Sequence, residues 1–343
     1  MAHMDTSPAV SGRNIRPVIH ENYQGRDIIL PGDRSQVIAA RDTPVLQKYI
    51  GSNIITADGT TLLGADDKAG IAEIMTLLQY LKEHPGILHP ELKIAFTPDE
   101  EVGMGASKFD LKYFHADFAY TVDGGSVGKI SIETWNADKA IVTFQGRNAH
   151  AGEAKGKMIN SMYAMGEFVQ LIPSAMRPEA TEGRVGFLHP FEMTGFEEQS
   201  RLKILLRDFT LQGLIDKAMV LKGIQKRVEA KYPETKIKVE IIQQYRNMKL
   251  VLDKYPQVTA FALQAAERAG VKPWLQPVRG GTDGAILTFK GLPSPNLFTA
   301  GENSHSKLEW VPEKGMQLTV NMLVELVQLW VEKGAHVKNK AKK

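Results

Sequence analysis

Apolar residues Ile71, Ile74, Met75, Leu78 and Leu81 recur at helical spacing, and the pattern stops at His84-Pro85. Such a stripe marks a helix with one buried face. Leu92–Phe96 is an apolar run that ends in Thr97-Pro98 and then Glu100-Glu101. It reads as a buried strand delivering two glutamates to its carboxyl end. Phe118–Val122 repeats this arrangement and closes on Asp123-Gly124-Gly125. Ile54–Thr56 and Thr61–Leu63 flank Asp58-Gly59 and predict a hairpin. Residues 22–52 are polar and irregular, with turn signals at Pro31-Gly32 and Asp42-Thr43-Pro44.

The middle of the chain has a different rhythm. Lys139–Gly146 alternates polar and apolar as a strand does, and Ile159–Ile172 has helical spacing. Leu202–Leu206 reads as a strand, Leu211–Tyr232 as an amphipathic helix and Ile237–Ile242 as a strand. Afterwards the earlier rhythm returns. A helix is expected over Pro256–Arg268, a glycine-rich loop at Arg279–Gly284, a strand at Asn296–Phe298 and a closing helix over Met316–Val331. The fold class is therefore α/β, a mixed sheet with helices on both faces, carrying an inserted α+β domain. The expected boundaries are 1–135 and 249–343 for the first domain and 136–248 for the insertion.

Composition narrows the function. The chain has 343 residues, 43% hydrophobic and 24% charged, which suits a globular protein of two domains. The formal net charge is +3, partly from four lysines after Gly334 that read as a solvated tail. No basic run is interleaved with aromatics, which argues against a nucleic-acid partner. No apolar stretch is long enough to span a bilayer and no signal peptide is visible, so no membrane is expected and the cytoplasm is the expected compartment. There is no cysteine, so any metal site must use His, Asp and Glu.

Several acids fall where ligands bind in α/β sheets, outside the carboxyl ends of strands. Adjacent Glu100 and Glu101 repel, and a cation is the natural compensation. Asp66 and Asp67, in Gly64-Ala-Asp-Asp-Lys-Ala-Gly70, sit where a loop enters a helix. Capping needs one acid at most, and either could bridge metals. Asp123 lies at another strand end. His3 precedes Asp5 by two residues, as a ligand precedes the carboxylate that orients it. His305 follows the strand Asn296–Phe298 and is the candidate last ligand. His20, His84, His89, His115, His189 and His336 lack an acidic partner motif and read as surface or capping residues.

The motifs His3-Met-Asp5-Thr, Gly64-Ala-Asp-Asp-Lys-Ala-Gly70, Thr97-Pro-Asp-Glu-Glu-Val-Gly103, Thr121-Val-Asp-Gly-Gly125, Gly146-Arg-Asn-Ala-His150 and Asn303-Ser-His305 occur in order. As a set they resemble the peptidase T branch of the M20 dinuclear zinc peptidases, over essentially the whole chain. The resemblance implies a catalytic domain with two zinc ions, interrupted by a lid domain that also dimerises. It implies that Asp66 bridges the ions, that His3 and Asp123 complete one, and that Glu101 and His305 complete the other. Glu100 would be the general base, Asp5 would orient His3, and His150 on the lid would donate to the carbonyl oxygen from the partner subunit of a homodimer. Arg207 and Arg279 are candidates for the substrate carboxylate because Arg offers a planar fork. Asn160 and Lys307 are further substrate candidates. The implied reaction is release of the N-terminal residue from tripeptides. Dipeptide hydrolysis, carboxypeptidase or deacylase activity, or a non-catalytic peptide-binding relative, remain alternatives. Members of the branch carry a helix and strand ahead of His-x-Asp that this sequence lacks, so His3 is expected to be loosely held.

Overall fold

Ala2–His3 runs parallel to Phe96–Thr97, with His3 opposite Thr97. Met1 N donates to Tyr120 O at 2.7 Å and Val122 N donates to Met1 O at 2.8 Å. That pattern sets Thr121–Gly124 parallel on the other side. Thr121–Gly124 pairs in parallel with Asn296–Phe298. A bridge from Asn296 to Ser131 continues the sheet to Lys129–Ile130, which pairs in parallel with Trp274–Leu275. Strands that run parallel end on one side. The chain segments leaving His3, Thr97, Gly124 and Phe298 therefore emerge together.

The computed structural model describes the backbone of residues 1–340 and the side chains of residues 1–333. The lysine tail after Gly334, with His336, lies outside the described side chains. The chain packs as two units. One comprises Met1–Ile132, Met248–Gln276 and Thr282–Lys343; the other comprises Glu133–Asn247 and Pro277–Gly281.

In the first unit, helices Ala65–Glu83, Pro256–Arg268 and Glu313–Lys340 contribute to one core with the sheet. Ile74, Leu77, Val122, Phe261, Leu297 and Met322 are buried in it. Gly70 lets the first of these helices close on the sheet, since a Cβ there would stand 2.0 Å from Val122 O. Residues 22–52 are less irregular than their polarity suggests. Ile28–Ile29 pairs with Val37–Ile38, and Leu30, Ile38, Leu46 and Tyr49 form a small core with Ile54 and Trp310. The expected hairpin does not form. Ile54–Ala57 instead pairs with Pro17–His20 and Trp310–Pro312. The expected strand Leu92–Phe96 is regular only at Phe96–Thr97, where its ladder partner lies.

The second unit is a four-stranded antiparallel sheet in the order Phe187–Gly195, Gln199–Asp208, Asn136–Gln145, Lys236–Tyr245. Alternate residues Ala140, Val142, Phe144, Leu202, Ile204 and Leu206 are buried with Phe168, Leu221 and Ile224 of helices Ser161–Gln170 and Leu211–Lys231. The edge strand Phe187–Gly195 is absent from the sequence reading. Pro190 and a register shift between Pro190 and Glu192 break its alternation.

Candidate metal centre and active site

The converging strand ends bring five predicted ligands of the first unit into two groups that share one member. His3, Asp66 and Asp123 form one, and Asp66, Glu101 and His305 the other, each offering ligand atoms within 4.8 Å of one another. Asp66 Oδ1 lies 2.9 Å from His3 Nε2, and its second oxygen Oδ2 lies 3.3 Å from His305 Nε2. A single carboxylate thus faces two imidazoles with its two oxygens. His3 Nε2 is also 3.7 Å from Asp123 Oδ1, and His305 Nε2 is 3.0 Å from Glu101 Oε1. His3, expected to be loose, is 2% exposed and held in the sheet, with Met4 N donating to Thr97 O at 2.8 Å.

Asp5 links His3 to the glutamate pair. Its Oδ1 stands 3.3 Å from His3 Nδ1, so the ring presents its other nitrogen to Asp66. The same carboxylate accepts from Glu100 N at 3.2 Å and from Glu101 N at 3.1 Å. Asp99, Asn303 and His305 take left-handed backbone conformations, with φ of 62°, 55° and 64°. Such conformations in non-glycine residues are uncommon and concentrate at functional sites. Asp67 also contacts His3, through the backbone of His3. It is buried and accepts from His3 N at 3.0 Å.

The electrostatics calls for a cation. Burial drives the Asp123 carboxyl well up, and Asp67, Asp66, Glu100 and Asp283 add to this by repulsion. Burial likewise pushes Glu100 up to about 7, with Asp283, Asp66 and Glu101 repelling its charge against the attraction of His3. Burial pulls His3 down, but the hydrogen bond to Asp66 and the charges of Asp67, Asp66 and Glu100 outweigh it and bring it up to about 9. His305 is raised to about 9, first by its hydrogen bond to Asp66 and then by Glu101 and Asp66 charge. Asp66, although buried, is held below the usual carboxylate range by the two histidines. Among the described residues no lysine or arginine pairs with Asp66, Glu100, Glu101 or Asp123. Buried Glu101 Oε1 and Asp67 Oδ1 have no hydrogen-bond partner. Crowded carboxylates with two imidazoles form a donor set of N and O atoms that suits two borderline divalent cations.

The remaining predicted residues are placed elsewhere or otherwise engaged. His150 is an exposed residue of the second unit, and its Nδ1 accepts from Gly152 N at 3.2 Å. Asn160 caps the helix Ser161–Gln170 by accepting from Met162 N at 3.0 Å. Arg207 is buried, donates to Asp138 O at 3.0 Å and Leu206 O at 2.9 Å, and stacks on Tyr245. Arg279, expected in the catalytic half, belongs to the second unit. It donates to Gly183 O, Val185 O and Thr181 O at 2.8–3.2 Å and lies 5.0 Å from the Trp135 ring centroid. Both guanidiniums have partners within their own unit. Lys307 stands 3.7 Å from Asp33.

Two carboxylates that shape the site escape the sequence reading. Asp283 accepts from Thr97 Oγ1 at 2.6 Å and Ala106 N at 2.8 Å, closing both ends of the loop that bears Glu100 and Glu101. Glu309 is buried beside the loop that bears Asp66. Their signal was faint: Asp283 in a helix's first turn reads as a dipole partner, and Glu309 is an acid between Leu308 and Trp310.

Comparison with known proteins identifies the family and the fold. The model of peptidase family M20/M25/M40 matches residues 57–329. The chain is 47% identical over 333 residues to peptidase T of Clostridium acetobutylicum, covering 97% of this chain and 82% of that one. It is 47% identical over 334 residues to peptidase T of Caldanaerobacter subterraneus, with the same coverage. Among solved structures, a tripeptidase from Staphylococcus aureus superposes with a TM-score of 0.74 at 22% identity, covering 96% of this chain and 79% of that one. A dinuclear metal binding peptidase of the M20 family from Bacillus subtilis superposes with a TM-score of 0.56 at 14% identity, covering 80% and 74%. These two likenesses concern the fold. By the extent of its family match and its identity to full-length relatives, the chain belongs to peptidase family M20/M25/M40.

Proposed function

We propose that the chain is a zinc-dependent aminopeptidase that releases the N-terminal residue from tripeptides. The observation that carries this reading is the shared carboxylate: Asp66 faces His3 with one oxygen and His305 with the other. The named activity of the peptidase T relatives supplies the substrate class. His3, Asp66 and Asp123 would hold one ion, and Asp66, Glu101 and His305 the second. Bound there, the ions supply Lewis acidity, lowering the pKa of water and polarising the scissile carbonyl.

The protein groups do the rest. Glu100 is set beside the ligands but is a member of neither group. Its buried carboxylate has a raised proton affinity, so it accepts a proton from the attacking water and returns it to the leaving amine. Asp5 stands 3.3 Å from His3 Nδ1, where it would orient the ring, and it accepts two hydrogen bonds from the backbone of Glu100 and Glu101. His150, from the second unit of a partner subunit in a homodimer, is proposed as donor to the carbonyl oxygen as charge builds there. The compartment proposed is the cytoplasm; no helix among the described residues is long and apolar enough to cross a membrane.

The test is product analysis with the zinc-loaded protein. Leu-Gly-Ala should yield leucine and Gly-Ala, with little turnover of Ala-Ala or N-acetyl-alanine. Preferred cleavage of the dipeptide, of the acylated amino acid, or from the carboxyl end would refute the assignment.

A further inference from the structure

Glu309 is 1% exposed and lies 243 positions along the chain from Asp66, yet it accepts three backbone hydrogen bonds at the start of the Asp66 helix. Gly64 N donates to Oε2 at 2.7 Å, Leu63 N to the same oxygen at 3.0 Å, and Asp66 N to Oε1 at 2.9 Å. The first amides of a helix have no partner within it. Here they need one more than usual, because the local chain does not follow helical geometry. Gly64 is left-handed at φ 77°, and Asp66 has φ −84° and ψ 99°. Gly64 itself provides no side-chain cap. The orientation of Asp66 is thus imposed from outside its own segment.

Glu309 sits in the same closed loop as His305. Glu302 and Trp310 exchange backbone hydrogen bonds of 2.9 and 3.1 Å, pinning the loop at its neck. Between them, His305 points Nε2 to within 3.3 Å of Asp66 Oδ2. One loop therefore carries the histidine and also grips the backbone of the carboxylate that faces it. Burial raises the Glu309 carboxyl, while the three backbone donors favour its charged form.

We infer that Glu309 is a positioning residue that sets the bridging carboxylate of Asp66 against His305, and so governs occupancy of the ion shared by Asp66, Glu101 and His305. The inference rests on the proposed role of Asp66 as a bridging ligand. Glu309→Gln keeps the shape but turns an amide N–H₂ toward one set of N–H donors. The two groups then repel, and Asp66 loses its fixed direction. Partners that orient metal ligands typically contribute about 10- to 100-fold in metal affinity or activity.

The experiment is a Co²⁺ titration of the metal-free full chain, followed by its visible absorption, for wild type, Glu309→Gln, Glu309→Asp, Asp66→Asn and His305→Ala. Wild type should take up two ions. Glu309→Gln should bind the second about 10- to 100-fold more weakly, with a spectrum shifted toward that of His305→Ala. Its kcat for Ala-Ala-Ala should fall with KM within about twofold, since binding of the peptide is not what Glu309 holds. Glu309→Asp keeps the charge and should recover part of the affinity. Wild-type cobalt affinity and spectrum in Glu309→Gln, with metal lost from Asp66→Asn, overturn the inference. Two ions retained by Asp66→Asn overturn the bridging role beneath it instead. If neither Glu309 variant folds, Glu309 serves the fold rather than the site, and the inference is equally overturned.

Discussion

Glu100 and the two histidines titrate under opposing pressures, and each gives a measurable consequence. Burial brings Glu100 to about 7, so its carboxylate is a willing proton acceptor near neutral pH. Glu100→Gln should keep both ions and lose about 10²- to 10⁴-fold in kcat; stopped assays with alanine release, beside metal analysis, check this, and a near-normal kcat would remove Glu100 from the mechanism. His3 and His305, both raised to about 9 in the metal-free protein, are protonated at pH 7. An imidazole must lose its proton to bind metal. Zinc uptake at pH 7 should therefore release at least two protons, with the raised Asp123 carboxyl adding to the two imidazoles, seen by calorimetry in buffers of different ionisation enthalpy. The sign also fixes stability without metal. The folded chain holds these protons more tightly than the unfolded chain, so their contribution is fully present below about pH 6.5 and is lost as pH rises through about 9. The melting temperature of the metal-free protein should decline across that window, and a rise there would contradict the assigned ion pairs. That Asp66, Glu101 and Asp123 sit at element ends is legible in the chain, because each follows an apolar run or opens a helix; His3 and His305 join them only through the family resemblance. Glu309 and Asp283 are not, because a carboxylate that accepts distant backbone N–H groups leaves no local pattern.

Segments succeed or fail to be legible according to what partners them. The helix of the second unit from Leu211 is readable because its buried face, including Leu214, Leu221, Ile224 and Val228, has helical spacing. The hairpin expected around Asp58-Gly59 misleads because Leu63 N and Gly64 N bond Glu309 instead of a returning ladder. The edge strand Phe187–Gly195 is hidden by Pro190 and its bulge. Helix Ala65–Glu83 shows how close packing aims ligands. Gly70 is where its backbone meets Val122 O, one residue before Asp123. Gly70→Ala would force the helix away from the strand, a clash costing about 1–3 kcal/mol. It should lower the denaturation midpoint and weaken zinc binding together. Unchanged stability would mean that the helix and strand shift apart freely.

For the whole molecule, the two units are joined by more crossings of the chain than an inserted domain requires. Pro277–Gly281 lies with the second unit, although the expected boundary ended that domain at residue 248. Arg279 is the physical reason, since its guanidinium grips the carbonyls of residues 181, 183 and 185 and stacks on Trp135. Contacts to backbone carbonyls carry no signature in the chain. The proposed action of His150 across a homodimer has a direct test. Glu100→Ala and His150→Ala should each be inactive alone. Mixed dimers of the two should regain activity approaching half per dimer, because one site then carries both native groups. No recovery, with subunit exchange verified, would place His150 in its own subunit's site or outside catalysis.

The central claim is that one chain works through two cations bridged by Asp66. Titration of the metal-free protein with Zn²⁺, while alanine release from Ala-Ala-Ala is followed, tests it most directly. Activity should be negligible without metal and reach its plateau at two equivalents per chain. A plateau at one equivalent, or full activity with none, would contradict the account.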